Sequence, residues 1–385
     1  MRILYVVGKS NGGLGSQVDD LQQRMRKSGH DVRILTDGMT AKHFGWDGVD
    51  LLWPLIPRSL HAFRQVIRRL REAKKLFASA DLIHAHGHQA GLLVALLLPP
   101  RRRGPRFVVS IHNPVRADLP RNLLRTLRIH TARRADVVTG TSSDLVRQAH
   151  EDGARCVRLS PIPSHKLADF LAEPLTSRDY RRQAWEDLCT SEHIENKGPL
   201  VLSLGRVEER KRLDVLIQAA ALVQSPATFV VVGPGNPAFI ARLRSMSSTV
   251  RVHLVGPRTD VKPWLAAASV FAISSDWEPG SLVVQEAMAA GVPVVATSAG
   301  GLIDLLDSHG QSPETGVLIP RDNPQALAKA IDSMLIDTPM WYTYQQRARL
   351  RVQEWQTPGE LAVTWGSWYA QLLESGTLTE EGPEV

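Results

Sequence analysis

Cysteines are scarce in this chain, and long apolar runs are missing. Cys156 and Cys189 are the two cysteines among 385 residues. Because two cysteines cannot build the disulfide framework of a small secreted scaffold, we expect two reduced thiols in a cytoplasmic protein. The longest apolar run, residues 90–98, is far shorter than the roughly 20 residues that a membrane-spanning helix needs. We therefore expect no membrane-spanning segment.

A secretory signal is not visible either. The opening MRILYVVG has the charge and length of a first β-strand, and no cleavage site follows it. The length of the chain instead predicts two domains. An apolar content of 43% is ordinary, so each domain can bury a sizeable core.

Charge is distributed unevenly along the chain. Residues 1–160 hold 27 Lys and Arg against 13 Asp and Glu, whereas residues 161–385 hold 19 against 26. This asymmetry predicts two domains with different partners, and an arginine-rich surface that only solvates the fold is the alternative. The positive side chains of the first half form three clusters: Arg64, Arg68, Arg69, Arg71, Lys74 and Lys75; Arg101, Arg102, Arg103 and Arg106; and Arg121, Arg125, Arg128, Arg133 and Arg134.

Strand-like and helix-like segments alternate along the chain in two series. The first series predicts strands at residues 3–7, 32–35, 82–84, 107–111 and 137–139. The second predicts strands at 200–204, 228–232, 250–254, 270–274 and 292–296. Helix-like segments lie between them, with a long one at 58–78. The pattern therefore predicts two doubly wound α/β units with mostly parallel sheets.

Breaks in this alternation set the predicted domain bounds. Residues 161–198 form a polar stretch with three prolines, which indicates a connection between domains. We therefore predict an N-terminal domain at 1–165 and a C-terminal domain at 195–345. The aromatic, helical residues 350–375 are predicted to pack back on the first domain. The tail at 376–385 is predicted to be disordered.

Two glutamates, Glu278 and Glu286, flank the start of a predicted helix in SSDWEPGSLVVQEAMAAG, residues 274–291. Eight helical residues span roughly 12 Å, whereas two carboxylates that act on one glycosidic bond lie about 5 to 9.5 Å apart. The pair is therefore predicted to hold two ends of an extended ligand. The backbone N–H groups of Ser281, Leu282 and Val283 at the helix start can hold a phosphate between them. Two solvated glutamates are the alternative.

Arg206 and Lys211 follow another predicted strand, in LSLGRVEERKRLDVL. They lie at the carboxyl end of that strand, where open α/β sheets bind ligands. A guanidinium and an ammonium group suit two phosphates and the charge of a departing diphosphate. A basic surface loop is the alternative, and Arg210 and Arg212 flank Lys211 closely enough to compete for the same role.

The loop after the first strand, GKSNGGLG, contains Gly12 and Gly13, which allow close backbone approach to an anion. A P-loop is excluded because Ile3 occupies its required first glycine position, and the run at 13–18 lacks the third small residue of a dinucleotide fingerprint. Residues 233–238, GPGNPA, formally match that fingerprint and support an NAD-dependent enzyme as an alternative. Against it, the next strand ends at Gly256 without a ribose-binding acid.

Three histidines alternate in DLIHAHGHQAG, so His84, His86 and His88 would share one face of a strand. Such a row also suits zinc, but we predict no metal site here. A buried structural histidine is the other alternative.

Residues 274–291, with the following PVVATSAGG, resemble the glutamate–seven residues–glutamate signature of retaining GT-B glycosyltransferases, above all the family-4 group, glycosyl transferases group 1. The resemblance covers nearly the whole chain and is strongest at 200–330. It implies two Rossmann-like domains that face each other across a cleft, with a nucleotide-diphosphate sugar on the second domain and the acceptor on the first. Pro279, Gly280 and Ser281 stand where the family usually has phenylalanine and glycine.

The resemblance also implies roles for individual residues. Glu278 inherits the contact with the donor-sugar hydroxyls, and Glu286 inherits the contact with the ribose hydroxyls. Arg206 and Lys211 match the family's glycine-arginine…lysine motif that binds the diphosphate.

Further positions follow from the same resemblance. His86 matches the second histidine of a His-X-His motif near the reaction centre, and His88 is its rival. The remaining donor-binding predictions are Gly12, Gly13, Gly233, Ser281, Leu282, Val283 and, for the nucleotide base, Arg258.

The predicted activity is therefore retaining transfer of a hexosyl-type sugar from a nucleotide-diphosphate sugar to an acceptor hydroxyl, without a divalent metal or resident cofactor. A nucleotide-sugar epimerase, an NAD-dependent oxidoreductase and a non-catalytic sugar-binding relative are the alternatives. The basic first half predicts an anionic soluble acceptor or one at an anionic membrane, which would place the protein at the inner face of that membrane. No nucleic-acid recognition motif is present.

Overall fold

A computed structural model describes residues 1–10, 12–46, 49–53, 60–99, 104–115, 120–247, 252–307 and 315–378. The chain divides into two compact units. Unit 1 comprises Met1–Ile162 and Pro358–Val385, and unit 2 comprises Pro163–Thr357.

Unit 1 is built on a parallel seven-stranded sheet of order β3-β2-β1-β4-β5-β6-β7. Its strands are β1 (Arg2–Val7), β2 (Asp31–Asp37), β3 (Asp50–Trp53), β4 (Leu82–His86), β5 (Arg106–Ile111), β6 (Val137–Gly140) and β7 (Val157–Leu159). Its helices are α1 (Gly13–Lys27), α2 (Gly38–Phe44), α3 (Leu60–Ser79), α4 (His88–Leu97), α5 (Arg121–Arg134), α6 (Ser143–Glu151) and α16 (Pro358–Glu374).

The first strand shows why the strands of this sheet have sequences that are continuous apolar runs. Ile3, Tyr5 and Val7 pack into the core on one face of the sheet, and Leu4 and Val6 pack into the core on the other. Because helices cover both faces, every residue from Ile3 to Val7 is buried.

The last helix of the chain, α16, belongs to unit 1. Leu361, Trp365, Tyr369 and Leu372 of α16 join the core that β1 and α1 form. Leu378, beyond the helix, is buried in the same core. The first residues of the predicted disordered tail are therefore ordered, and residues 379–385 lie outside the described residues.

Unit 2 repeats the architecture with a parallel six-stranded sheet of order β10-β9-β8-β11-β12-β13. Its strands are β8 (Leu200–Leu204), β9 (Thr228–Val232), β10 (Val252–Gly256), β11 (Ala268–Ile273), β12 (Val294–Thr297) and β13 (Gly316–Ile319). Its helices are α7 (Leu167–Ala172), α8 (Arg178–Glu192), α9 (Leu213–Leu222), α10 (Pro237–Ser247), α11 (Lys262–Ala267), α12 (Leu282–Ala289), α13 (Gly301–Leu306), α14 (Pro324–Ile336) and α15 (Thr338–Gln353). The prediction of two doubly wound parallel units is confirmed.

The predicted interdomain connection at 161–198 differs from the structure. This stretch contains α7 and α8, which belong to unit 2. Phe170, Trp185 and Cys189 from these helices are buried in its core. Their apolar side chains are widely spaced among charged residues, so the sequence gives no continuous signal, although Ser177 caps α8 through the amide of Tyr180.

Two guanidinium groups bind the carboxyl end of α12. Arg181 is fully buried and donates to the carbonyls of Ala290 at 2.7 Å and Gly291 at 3.1 Å. Arg349 of α15 donates to the carbonyl of Ala289 at 3.2 Å. Cations at a helix carboxyl end satisfy its last carbonyls and interact favourably with its dipole. These contacts therefore fix the helix that carries Glu286.

Candidate active site

The carboxyl edge of the unit 2 sheet gathers most of the predicted site residues. Because β8 through β13 are parallel, the loops that follow them leave the same edge. The strand order reverses between β8 and β11, which lie side by side. Ligands of open α/β sheets bind outside such a switch point. Arg206 and Lys211 follow β8, and Glu278 follows β11.

The loop after β8 is shaped by a short turn. Glu209–Lys211 form one turn of 3-10 helix, and Arg212 then adopts a left-handed backbone with φ 46°. Ser274, at the end of β11, donates its hydroxyl to the carbonyls of Lys211 and Arg212 at 2.9 and 2.8 Å. These bonds hold the turn against the neighbouring strand end and stabilise a conformation that costs energy outside glycine.

Glu278 is the buried acidic group of this edge. Its side chain is 4% exposed, and its Oε1 forms an ion pair with Lys211 Nζ at 2.8 Å and accepts a hydrogen bond from Ser275 Oγ at 2.7 Å. Its backbone is fixed as well, because Gly301 N–H donates to the Glu278 carbonyl at 2.8 Å. Gly300 has φ 56°, and a Cβ there would lie 2.4 Å from that carbonyl oxygen, so this close approach requires glycine.

The two arginines beside Lys211 take other partners. Arg210 donates to Glu208 at 2.8 Å and to the Trp277 carbonyl at 3.1 Å, and lies 3.7 Å from Glu278 Oε2. Arg212 is bound by three carboxylates, those of Asp214, Asp276 and Asp322. Of the three consecutive cations, Lys211 therefore makes the short contact with Glu278.

Arg206 is exposed immediately after Gly205. Across from it, Gly233 follows directly after β9 and has φ 153°. A Cβ on Gly233 would lie 1.8 Å from the Gly205 carbonyl oxygen. The glycine at 233 thus lets the two strand-end loops touch through their backbones. Val207 and Gly235 extend this approach as an isolated bridge.

The amino end of α12 lies between the two glutamates in sequence. Ser281 is its N-cap residue, and the first intrahelical bonds run from the amides of Val284 and Gln285 to the Ser281 carbonyl. The N–H groups of Leu282 and Val283 precede those bonds, as at any helix start. The helix therefore presents donors next to the loop that carries Glu278.

Glu286 lies inside α12 and is buried, with 6% exposure. Its Oε1 accepts a hydrogen bond from Ser164 Oγ at 2.7 Å. Burial raises the pKa of Glu286, and the Ser164 hydroxyl and the charge of Lys166 act in the opposite direction. Glu278 and Glu286 have different partners, which agrees with separate roles.

The first loop of unit 1 carries Gly12 and Gly13. Gly12 is the N-cap position of α1, and the chain before it is tied to α2, because Ser10 N–H donates to Thr40 Oγ1 at 2.9 Å. Thr40 in turn donates to Asp37. The two glycines therefore lie at a helix start at the carboxyl end of β1, although Asn11 between these contacts lies outside the described residues.

His84 and His86 lie at the carboxyl end of β4, next to β1. Their rings are 4.0 Å apart between centroids, so the two histidines share one face of the strand, as alternation predicts. His84 is bound on both ring nitrogens, by Tyr369 Oη and Ser110 Oγ, each at 2.7 Å. Burial lowers the pKa of both imidazoles well below the usual value, so both are neutral at pH 7.

His112 is a histidine that the sequence analysis missed. It follows β5, the neighbour of β4, and its Nε2 lies 3.4 Å from His86 Nδ1. Burial lowers its pKa to about 3. Within the described ranges, His86 Nε2 and His112 Nδ1 are buried without a hydrogen-bond partner. The signal available in the sequence was a histidine at the end of the predicted strand 82–84 and another directly after the predicted strand 107–111.

Two predicted residues have other surroundings than expected. His88 is not on the strand: it opens α4, and its Nε2 bonds the Asn113 carbonyl at 2.9 Å. Arg258, predicted beside the nucleotide base, donates to Glu192 at 3.0 Å through Nε and to the Val255 carbonyl at 2.7 Å. These contacts tie β10 to α8, and the contact of Arg258 with a nucleotide base stays a prediction.

Metal-ligating side chains do not cluster in the part of the chain that the structure describes, where no three or more His, Cys, Asp and Glu side chains are placed to hold an ion. The buried rings of His84, His86 and His112 pack against one another, with His86 between the other two.

The architecture is that of solved GT-B enzymes. HepE of Anabaena, crystallised with UDP, superposes on this chain with a TM-score of 0.79 at 20% identity. The superposition covers 97% of this chain and 100% of HepE. Sucrose-phosphate synthase of Thermosynechococcus elongatus gives a TM-score of 0.73 at 22% identity, with the same coverage. The fold class is thus GT-B, as predicted.

Sequence comparison places the chain within a family. Residues 198–337 match the family model of glycosyl transferases group 1, and residues 12–165 match that of the glycosyl transferase 4-like domain. D-inositol 3-phosphate glycosyltransferase of Salinispora arenicola is 33% identical over 76% of this chain and 69% of its own length. The enzyme of the same name from Jonesia denitrificans is 27% identical over 91% and 86%. The chain belongs to the glycosyl transferases group 1, the family-4-like glycosyltransferases.

Proposed function

We propose that this glycosyltransferase takes a hexosyl-type sugar from a nucleotide-diphosphate donor bound at the carboxyl edge of the unit 2 sheet. The observation that carries the proposal is the 2.8 Å contact between Lys211 Nζ and the buried Glu278 carboxylate at the β8–β11 switch point. An ammonium group has three donors, so Lys211 can bind Glu278 and a phosphate oxygen together. Support also comes from HepE, which was crystallised with UDP-glucose.

The parts of the donor would be held by different elements. Glu278 accepts hydrogen bonds from sugar hydroxyls, and Arg206, Lys211 and the amino end of α12 bind the diphosphate. Glu286 accepts hydrogen bonds from the ribose hydroxyls. Gly233 allows the donor close approach to the backbone between β8 and β9.

The chemical step breaks the bond between the anomeric carbon and the diphosphate oxygen and forms a bond from that carbon to the acceptor oxygen. Positive charge from Arg206 and Lys211 stabilises the negative charge that grows on the leaving diphosphate. In this proposal the acceptor proton passes to the leaving phosphate oxygen on the same face, and the anomeric configuration is retained without a protein nucleophile. Neutral His86 is proposed to hydrogen-bond the sugar near the reaction centre.

Replacing Glu286 with glutamine is expected to weaken binding of the free nucleoside diphosphate by about tenfold, because a neutral amide accepts hydrogen bonds from the ribose less strongly than a carboxylate does. Calorimetric titration measures this. Glu186→Gln, an exposed substitution on α8, is the matched control. Unchanged affinity in Glu286→Gln would make Glu286 a structural residue.

Activity is expected to survive treatment with a chelator such as EDTA. The reason is that Arg206 and Lys211 already supply positive charge for the diphosphate, the role that a divalent ion plays in other transferases. Turnover of the donor before and after treatment, with metal analysis of the purified protein, measures it. Stoichiometric zinc whose removal abolishes turnover would overturn this part of the proposal.

We propose that the acceptor binds mainly to unit 1 and is anionic or lies at an anionic membrane. Exposed cations line two helices, with Arg64, Arg68, Arg71, Lys74 and Lys75 on α3 and Arg121, Arg125 and Arg133 on α5. Other members of the predicted clusters are engaged: Arg128 pairs with Asp152 at 2.8 Å, and Arg134 donates to the Leu98 carbonyl. Residues 101–103 lie outside the described residues.

Sedimentation with liposomes distinguishes the two kinds of acceptor. None of the described helices is long and apolar enough to cross a membrane, so binding would be peripheral and driven by charge. We expect salt-sensitive binding to anionic vesicles and none to neutral ones if the acceptor is in the membrane. If the protein binds neither kind of vesicle and turns over a neutral small acceptor, the exposed arginines only solvate the surface and do not bind the acceptor.

A further inference from the structure

Ser164 is a buried serine that contacts two consecutive residues of α12. Its hydroxyl donates to Glu286 Oε1 at 2.7 Å, and its backbone N–H donates to Gln285 Oε1 at 2.9 Å. Ser164 is 2% exposed, and Glu286 is 6% exposed. The two bonds therefore form in a site that excludes water, where each hydrogen bond matters most.

We propose that Ser164 is a positioning residue, which sets the orientation of the Glu286 carboxylate so that its remaining acceptor sites meet the ribose hydroxyls of the nucleotide. This inference rests on the proposed ribose contact of Glu286. Ser164 itself need not touch the nucleotide.

The physical reason lies in the last torsion of glutamate. Rotation about the bond to a carboxylate is broad and roughly two-fold, so an isolated Glu286 carboxylate would sample many orientations. The Ser164 hydroxyl occupies one lone-pair site on Oε1 and selects one orientation. A carboxylate offers about four such sites, so enough remain to accept hydrogen bonds from two ribose hydroxyls.

The hydroxyl also favours the charged form that accepts those bonds. Burial raises the pKa of Glu286, and the hydrogen bond from Ser164 acts against that rise, as does the charge of Lys166. Without Ser164, burial would act on a carboxylate that has lost its donor. The orientation and the charge of Glu286 thus depend on the same contact.

Ser164 is itself held by packing. It is the second residue of unit 2, and α7 begins three residues later. Leu167 and Phe170 of α7 are buried in the core that also contains Val284 and Ala287 of α12. Ser164 Oγ accepts a bond from the Lys166 amide at 3.3 Å as well. The serine is therefore fixed relative to α12 rather than placed by a free loop.

Calorimetric titration of Ser164→Ala with paired nucleotides tests the inference. UDP, GDP and ADP are titrated into the unsubstituted protein, and the tightest binder is compared with its 2′,3′-dideoxy counterpart. The unsubstituted protein is expected to lose at least about tenfold in affinity for the dideoxy nucleotide, which lacks the ribose hydroxyls. Ser164→Ala is expected to bind the ribonucleotide about tenfold more weakly than the unsubstituted protein does, and to bind the dideoxy nucleotide with little change in affinity. Ser160→Ala, at another buried serine, is the matched control.

The outcomes separate the inference from the proposal beneath it. If the unsubstituted protein binds both nucleotides equally, or binds none, the ribose role of Glu286 fails, and the role of Ser164 fails with it. If the unsubstituted protein and Ser164→Ala both prefer the ribonucleotide to the dideoxy nucleotide by the same factor, the ribose role of Glu286 is supported and Ser164 has no positioning role. If Ser164→Ala loses the same factor in affinity for both nucleotides, Ser164 has a structural role, and the inference is also overturned. Ser164→Gly, which also removes the hydroxyl, replaces the alanine variant if that one does not fold.

Discussion

Lys211→Ala is expected to lower kcat by about 10²- to 10³-fold, the size of effect seen when one preorganised charge contact to a transition state is removed. The substitution removes the ammonium group that pairs with Glu278 at 2.8 Å and, in our proposal, with the departing diphosphate. It also leaves the buried Glu278 carboxylate with Ser275 as its remaining close donor, which adds to the loss. Release of nucleoside diphosphate from the donor that the enzyme turns over measures kcat.

Two further variants show whether the loss belongs to the site. Lys197→Ala removes an exposed lysine that pairs with Glu195 elsewhere on unit 2, and it is expected to keep the turnover of the unsubstituted protein. Arg206→Ala is expected to lower kcat by a comparable factor, because the substitution removes the second cation of the proposed diphosphate site. Near-normal turnover in both Lys211→Ala and Arg206→Ala would exclude the proposed diphosphate site.

Arg181→Ala is expected to destabilise unit 2 by on the order of 3 kcal/mol or more. Arg181 is fully buried and serves the carbonyls of Leu265, Ala268, Ala290 and Gly291 at 2.7 to 3.1 Å. Burial lowers its pKa to about 10, so the guanidinium stays charged at neutral pH. Its removal leaves carbonyls at the ends of α11 and α12 without their donor and opens a cavity beside Trp341.

Urea denaturation followed by tryptophan fluorescence measures this effect. Arg182→Ala is the matched control, because the neighbouring Arg182 is 72% exposed and 3.8 Å from Asp179; such a pair contributes little. The midpoint is expected to fall strongly for Arg181→Ala and to stay unchanged for Arg182→Ala. Equal midpoints would mean that the buried guanidinium does not hold α12 in place.

The buried central strands and the edge strand β10 could be predicted from the sequence, whereas the other edge strands could not. β1, β4, β8 and β11 are mostly apolar and are buried along nearly their whole length, because helices cover both faces of each sheet. The strands that escaped prediction are β3, β7 and β13, all at sheet edges and three or four residues long. Short edge strands pair on one side only and need less apolar sequence, so their pattern is faint.

The position of a candidate site residue could be predicted from the sequence where it depends only on which strand the residue follows. Lys211 and Glu278 each follow a predicted strand, and parallel strand ends meet at one edge. Which of the three consecutive cations contacts Glu278 depends instead on the 3-10 turn and the left-handed Arg212, and no local pattern indicates either. Ser164 lies in the stretch that resembled a connection, and its partner is 122 residues away.

The resemblance to family 4 supplied what spacing alone left open. The eight-residue offset of Glu278 and Glu286 allows many extended ligands, and the matches of residues 12–165 and 198–337 restrict the chain to glycosyltransferases. The same resemblance assigns Arg258 to the nucleotide base, and its hydrogen bond to Glu192 of α8 is a further contact that the resemblance did not indicate.

Thermal unfolding in the presence of a panel of nucleotide-sugars tests the central claim most directly, since a ligand that binds only the native state raises its melting temperature. The panel contains UDP-, GDP- and ADP-sugars, with NAD as the comparison for the oxidoreductase alternative. We expect one base to raise the melting temperature of the unsubstituted protein by several degrees and Glu286→Gln to respond much less at the same concentration. A shift with NAD alone, or none with any nucleotide-sugar, would contradict a nucleotide-sugar site on unit 2.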